Sequence, residues 1–300
     1  MNSHQHSLTY RLINLSTVLT LKVTKKTLNC RGRLVDLTVP VVMGILNVTP
    51  DSFFTGSRVA AEKLVETVRK MLSDGATLLD VGGYSTRPGA ADVSPAEESD
   101  RVLPVIEAIL AEFSDALISI DTFRASVARQ AVEAGACLIN DVSGGTLDPN
   151  MFATVASLPS VPYVLMHLRG TPQTMQSLAI YDNVVTEVID ELATQLAKLR
   201  ALGVRDVILD PGFGFAKNPA QNFELLNHLN ALNLFDEPIL VGISRKTTIW
   251  KTLGITADEA LNGTTVLNTV ALMKGASILR VHDVREAVEA VKLTQRLTFF

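Results

Sequence analysis

Two hydrophobic rhythms alternate along this chain. One is a short continuous apolar run, as shown by a strand buried on both faces. The other is an amphipathic stretch with apolar residues three and four apart, as shown by a helix. The runs cover 41–48 (VVMGILNV), 77–83 (TLLDVGG), 117–122 (LISIDT), 137–142 (CLINDV), 162–167 (PYVLMH), 206–212 (DVILDPG), 238–244 (PILVGIS) and 278–283 (ILRVHD). A helical stretch follows each one. The first is AAEKLVETVRKMLSDGA, with Leu64, Val68, Met71 and Leu72 on one face and Gly75 as its stop. Then come PAEESDRVLPVIEAILAEF, SVARQAVEAG with a stop at Gly135, a short helix over 150–158, the long 184–203, one near 221–231, one from about 246, and VREAVEAVKLTQRL. Such alternation implies a parallel sheet. Eight units in about 260 residues predict a closed (β/α)8 TIM barrel of the α/β class rather than an open doubly wound sheet. Residues 17–40 read as a hairpin-like lead-in: TVLTLKV, then TLNCRGRLVDL with Arg-Gly-Arg as the turn. The expected division is an N-terminal extension over 1–27 and one barrel domain over 28–300.

In such barrels the reacting groups sit at the carboxyl ends of strands. Here those ends carry Asn47, Gly82-Gly83, Asp121, Asn140, His167, Asp210, Ser244, and Arg280 with His282. A single polar residue there can simply cap its own helix. Polar residues at nearly every end predict one polar mouth. The most site-like stretch is 206–217, DVILDPGFGFAK, whose apolar run ends on Asp210 and whose Pro-Gly-Phe-Gly-Phe cannot continue a strand. The carboxylates Asp121 and Asp210 and the amide Asn140 suit a flat heterocycle carrying adjacent N–H donors. Lys246 supplies a cation for a ring carbonyl or nitrogen. The helix opening beside it, with the Thr247 hydroxyl, suits a carboxylate or phosphate; the alternative is a solvated helix start. Arg280 and His282 alternate and so share a face. With Asn47 they could hold a polyanion and a magnesium ion; the alternative is a surface ion pair. No Cys/His metal spacing and no Gly-x-Ser-x-Gly elbow is present, so covalent catalysis is not indicated. The loops TPDSFFTG (49–56) and YSTRPGA (84–90) exceed the usual length of a βα turn, and their mixture of Pro, Gly, hydroxyls and one charge suits closure on a ligand.

Composition narrows the classes. The 300 residues are 47% hydrophobic and 19% charged, with a net charge of −4, so no basic footprint for nucleic acid exists. Cys30 and Cys137 are the only cysteines. A disulfide framework is therefore not expected, and a reducing cytoplasm fits. Residues 12–23 are mildly apolar but carry polar interruptions and no cleavage site, which argues against a signal peptide. No run approaches the roughly 20 apolar residues of a membrane span.

The motifs NVTPDSF, GGYSTRPGA, SIDT, INDVSGG, LMH, DPGFGF, VGISRK and RVHD, in order from about residue 28 to 290, resemble the successive motifs of the dihydropteroate synthase family. Each is weak alone; the set in register is specific. The resemblance implies the same barrel. It implies condensation of 6-hydroxymethyl-7,8-dihydropterin diphosphate with para-aminobenzoate, giving 7,8-dihydropteroate and diphosphate in folate synthesis. Carried over by position, it sets the pterin against Asp121, Asn140, Asp210 and Lys246. It sets diphosphate and Mg2+ at Asn47, Arg280 and His282, with Thr86 and Arg87 nearby. It lines the aryl amine slot with Phe53, Pro88, Phe215 and Lys246, the carboxylate lying near Thr247. The implied mechanism is dissociative: diphosphate leaves, and the amine traps the pterin cation, with Asp121, Lys246, Arg280, Thr86 and Arg87 as the catalytic set. The family usually forms homodimers through barrel helices. This chain departs at Tyr84, where many members carry Glu, at Phe54-Thr55-Gly56, where Ser-Asp-Gly is common, and at Thr247, where Ser is usual. These changes touch loop contacts more than chemistry. Two rival readings exist. A pterin-binding methyltransferase shares the pocket, but would leave Arg280, His282 and the STRPG loop without purpose. A pterin-binding paralogue without catalysis is opposed by intact motifs at every strand end.

Overall fold

In the computed structural model, which describes residues 25–48, 58–84 and 93–297, the chain first makes a small antiparallel hairpin. Its strands are β1 (Thr27–Cys30) and β2 (Arg33–Asp36). The turn falls on Arg31-Gly32, and the Asn29 side-chain oxygen accepts the Gly32 N–H at 2.7 Å. Period-two alternation sends Leu28, Cys30 and Val35 to one face. That face packs with Leu37, Met43, Leu78, Cys137, Leu138, Val164, Ile208, Leu240 and Ile278. These barrel residues lie early in their strands, so the hairpin plugs the amino-terminal end. Burying each such side chain stabilises the fold by about 1.5–3 kcal/mol. Residues 17–24 of the expected lead-in lie outside the described residues.

The eight apolar runs become eight parallel strands: β3 (Val41–Asn47), β4 (Leu78–Gly82), β5 (Ile118–Asp121), β6 (Leu138–Asp141), β7 (Tyr163–Met166), β8 (Val207–Asp210), β9 (Leu240–Val241) and β10 (Ile278–Val281). Consecutive strands pair, β10 pairs with both β3 and β9, and a parallel bridge from Leu209 to Ile239 joins β8 to β9. The expected TIM barrel is what forms. Around it lie α1 (Arg58–Ser73), α2 (Pro95–Glu112), α3 (Ala125–Glu133), α4 (Met151–Ala156), α5 (Val184–Ala201), α6 (Pro219–Asn227), α7 (Thr247–Leu253), α8 (Leu261–Met273) and α9 (Val284–Thr294). Outward strand residues such as Leu79, Val81, Ile118, Ile120 and Leu209 meet helix residues such as Val102, Ile106, Val188 and Leu192 in the main core.

Two elements differ from the pattern. The helix expected from about 246 is two helices, because Gly254 takes a left-handed conformation (φ 67°) and caps α7. The run 238–244 keeps only Leu240–Val241 as strand. Pro238 has no N–H for the ladder, and past Gly242 the backbone turns towards Arg245, itself left-handed at φ 53°.

Register decides what shares the mouth. Asn47 is level with Gly82, Gly82 with Asp121, and Asp121 with Asn140. On the other side Asp210 is level with Met166.

Candidate active site

The site is built on a carboxylate that the sequence pattern hides. Asp80 lies two residues before Gly82 on β4 and is 0% exposed. Its Oδ2 accepts two bonds, from Asn140 Nδ2 at 2.9 Å and from Arg280 Nε at 2.6 Å. Its Oδ1 finds no hydrogen-bond partner among the described residues. Arg280 also donates from Nη2 to Asp121 Oδ2 at 2.5 Å. One guanidinium thus ties β10 to β4 and β5. The bond to Asp80 settles the orientation of the Asn140 amide: nitrogen towards Asp80, carbonyl oxygen away from it. Asn140 is itself buried.

Asp210 ends β8 and is buried at 5% exposure. Its Oδ1 accepts the Gly212 N–H at 2.7 Å, which curls the following loop back over the strand end. Gly212 has φ 72°, and a Cβ there would lie 2.1 Å from the His167 carbonyl oxygen, so only glycine fits. The same loop meets Lys246, the N-cap residue of α7. Lys246 Nζ donates to the Phe213 carbonyl and stands 4.4 Å from the centroid of the Phe215 ring. Its neighbour Arg245 is clamped by Asp283, Nε at 2.8 Å and Nη2 at 2.7 Å, and by the Asp258 carbonyl at 3.0 Å. That clamp holds the left-handed Arg245 backbone, and with it the direction of Lys246.

At Asp121 and Lys246 the neutral and ionised forms lie close in energy near neutral pH. Burial raises Asp121 to about 7; Arg280 opposes the shift, while Asp80, Glu98 and Asp141 add to it. Burial also raises Asp210, against the pull of Lys246. Lys246 is lowered to about 8 by burial, against Asp210. Burial disfavours the charge of Arg280, but Asp80 and Asp121 outweigh it and keep the guanidinium protonated beyond the usual arginine range. The mouth therefore offers acceptors on Asp121, Asn140 and Asp210, with a cation across from them.

The other expected residues are placed as follows. Asn47 is exposed at the end of β3. Arg280 is turned inward to its carboxylates, whereas His282 lies exposed at the rim just past β10. There its N–H donates to Ser244 Oγ at 3.2 Å, and its Nδ1 lies 3.1 Å from the same oxygen. The two residues leave the strand on one side but end at different depths. Phe215 is half-buried, and Thr247 is exposed in the first turn of α7. Phe53, Thr86, Arg87 and Pro88, with nearly all of the two long loops, lie outside the described residues. His167 does not face the mouth: its Nε2 meets Glu191 Oε2 of α5 at 2.9 Å. Asp141 likewise turns away, taking the Tyr163 hydroxyl at 2.7 Å and the Ser143 N–H at 2.7 Å. Sequence reading missed Asp80 and the buried Lys217. The available signal for Asp80 was a carboxylate inside an apolar run, which a buried strand tolerates only with a partner.

A (β/α)8 barrel whose mouth sets buried carboxylates and an oriented amide against a lysine is the framework of the pterin binding enzymes. The model of that family matches residues 43–282, and the chain belongs to it. Over 270 residues, 88% of this chain and 94% of the relative, it is 43% identical to the dihydropteroate synthase of Escherichia coli (strain K12). A solved structure of the Xanthomonas albilineans dihydropteroate synthase with 4-aminobenzoic acid matches with a TM-score of 0.83 at 40% identity, covering 92% of this chain and 100% of that one. The dihydropteroate synthase of the same organism in complex with 7,8-dihydropteroate matches with a TM-score of 0.79 at 36% identity, covering 91% and 100%.

Proposed function

We propose that this chain condenses 6-hydroxymethyl-7,8-dihydropterin diphosphate with para-aminobenzoate, forming 7,8-dihydropteroate and diphosphate, a transferase step of folate biosynthesis. The observation that carries this reading is the set of acceptors at the mouth, the half-buried Asp121, the buried Asn140 carbonyl and the buried Asp210, facing Lys246. Pterin N–H groups match the acceptors, and the ring carbonyl and nitrogen match the ammonium. In the reaction the carbon–oxygen bond to diphosphate breaks first, and its electron pair leaves with the diphosphate. The carboxylates of Asp121 and Asp210 stabilise the positive charge left on the pterin methylene. The amine lone pair then forms the new carbon–nitrogen bond, and the surplus amine proton passes to solvent. No strong base is required.

Arg280 connects the two halves of this chemistry, because it touches Asp121 and lies on the strand that carries His282 to the rim. We assign diphosphate to Arg280, His282, Thr86 and Arg87, and the aryl amine to Phe53, Pro88, Phe215 and Lys246, with its carboxylate near Thr247. Among the described residues no group of three or more His, Cys, Asp or Glu could hold a metal. Magnesium beside phosphates is usually held by one or two protein oxygens plus the substrate. Asn47 would supply such an oxygen, and the ion would neutralise charge on the leaving diphosphate.

We further propose a homodimer. Helix α8, LNGTTVLNTVALM, carries no charged residue, and Val266 and Met273 are 53% and 50% exposed. Leu253 at the end of α7 adds to that face at 55%. An exposed apolar stripe of this kind marks an interaction surface; we assign it to a second copy of the chain, and light scattering on the purified protein measures it. No helix among the described residues is long and apolar enough to cross a membrane, and both cysteines are free thiols. We also propose a cytoplasmic setting and a barrel domain over 28–300 after an extension over 1–27, a boundary that falls within β1 (Thr27–Cys30). Diphosphate release tests the function. Sustained release should require both substrates together; no release with both present, or transfer of a methyl group instead, would overturn the assignment.

A further inference from the structure

Lys217 lies outside the ring of groups facing the mouth, yet it is only 3% exposed. A buried ammonium is costly unless every N–H finds an acceptor. Here three do: the Gly212 carbonyl at 3.1 Å, the Phe215 carbonyl at 3.1 Å and His167 Nδ1 at 2.9 Å. Because Lys217 donates to Nδ1, His167 carries its proton on Nε2, directed at Glu191. Burial, reinforced by Lys217, lowers His167 to about 4, so it stays a neutral acceptor. Burial alone would raise Glu191, but His167 and Arg169 bring it down to about 2. Arg169 holds Glu191 through Nε at 2.9 Å and also bonds Glu187 at 2.7 Å. A continuous chain of bonds thus runs from the surface of α5 to the loop after β8.

What Lys217 grips is selective. Phe213 is 0% exposed and anchored by its own side chain. Gly214 donates its N–H to Asn222 Oδ1 at 2.8 Å. Phe215 is only half-buried, and Ala216 after it is left-handed at φ 49°, a conformation that persists only when its surroundings impose it. The two carbonyls held by Lys217 bracket this segment. We propose that Lys217, with His167 as its acceptor, is a positioning residue for the aryl amine side of the site: it fixes the backbone of 212–215 and so sets where the Phe215 ring stands beside Lys246. This rests on the assignment of Phe215 to the aryl amine.

A pair of substitutions at His167 separates positioning from mere packing. His167→Asn places an acceptor near Nδ1 and keeps the bond from Lys217. His167→Gln places its amide near Nε2, keeps Glu191 and removes that acceptor. His167→Gln and Lys217→Met should raise KM for para-aminobenzoate about 5- to 10-fold, no more than loss of the Phe215 ring contact itself would cost. Turnover and KM for the pterin diphosphate should stay within about threefold, as should all constants of His167→Asn. Amide hydrogen exchange of a peptide spanning 211–218 should quicken in His167→Gln and Lys217→Met and remain unchanged in His167→Asn, which reads the loop without reference to activity. Equal behaviour of the two His167 variants, an equal rise in both KM values, or unchanged exchange would overturn the proposal. A wild-type protein that released no diphosphate would overturn the function instead, and the exchange result would still decide the role of Lys217.

Discussion

Asp80→Asn is the most informative single change, because it keeps the shape of the side chain and removes its charge. In the native site Asp80 Oδ2 accepts from Asn140 Nδ2 at 2.9 Å and Arg280 Nε at 2.6 Å, all three groups lying within the barrel. Two consequences follow. Arg280 keeps Asp121 at 2.5 Å, so it is not stranded, and the loss lies well below the 3–5 kcal/mol of an unpaired buried charge. The Asn140 amide, however, loses the partner that sets its orientation. If it turns, it presents N–H groups to a ligand edge that itself carries N–H groups, losing one bond and gaining a donor–donor clash. Pterin affinity should then fall by about 1.5–3 kcal/mol, roughly 10- to 150-fold. Calorimetry with a pterin lacking the diphosphate measures this. A double-mutant cycle with Asn140→Ala isolates the coupling, which should be strongly non-additive because both changes remove the same contact. The variant should also lower the value at which Asp121 titrates, since the Asp80 charge is one of the groups raising it. Wild-type affinity in Asp80→Asn, with Asn140→Ala still impaired, would refute the view that Asp80 orients the amide.

Asp210→Asn should cost pterin binding about 1.5–3 kcal/mol by removing a charge-assisted pair, read by the same calorimetry; near-unchanged affinity would remove Asp210 from the pterin site. Phe215→Leu and Phe53→Leu should each raise KM for para-aminobenzoate by the equivalent of about 0.5–1.5 kcal/mol, the worth of one aromatic contact, while pterin binding holds. Arg280→Ala should lower turnover by roughly 10²–10³-fold, the scale of losing one oxyanion donor, and weaken diphosphate binding measured directly. Activity against pH should be bell-shaped. It rises towards pH 7 as Asp121, held up to about 7, loses its proton and can face a cation; it falls above pH 8 as Lys246, held down to about 8, loses its charge. A flat profile across pH 6–9 would contradict those roles.

What could be read without coordinates was whatever depends on local order. Asp121, Asn140 and Asp210 stood out because each closes an apolar run, and a barrel puts strand ends at one rim. Asp80 did not, because the same run absorbed it; its importance comes from Asn140 and Arg280, 60 and 200 positions away. Lys217 closes the site-like stretch 206–217 but had no role of its own there, because its partners, the carbonyls of that loop and His167, are brought to it only by the fold. Gly254 ends α7, but α8 beyond it mixes apolar residues with Asn262, Thr264, Thr265, Asn268 and Thr269, so no clean apolar face marked a second helix.

The amino-acid sequence by itself determined the barrel, its strands and the chemical types at its mouth, because buried parallel strands and their covering helices are encoded by apolar spacing within a few residues. Only the tertiary structure decided direction and depth. It turned His167 outward to Glu191, drew Arg280 inward to Asp80 and Asp121, and left His282 at the rim. Those outcomes depend on where an oppositely charged or hydrogen-bonding partner happens to lie across the barrel. A buried polar group must take whatever partner the fold brings within about 3 Å, and that distance is not written in the spacing of residues along the chain.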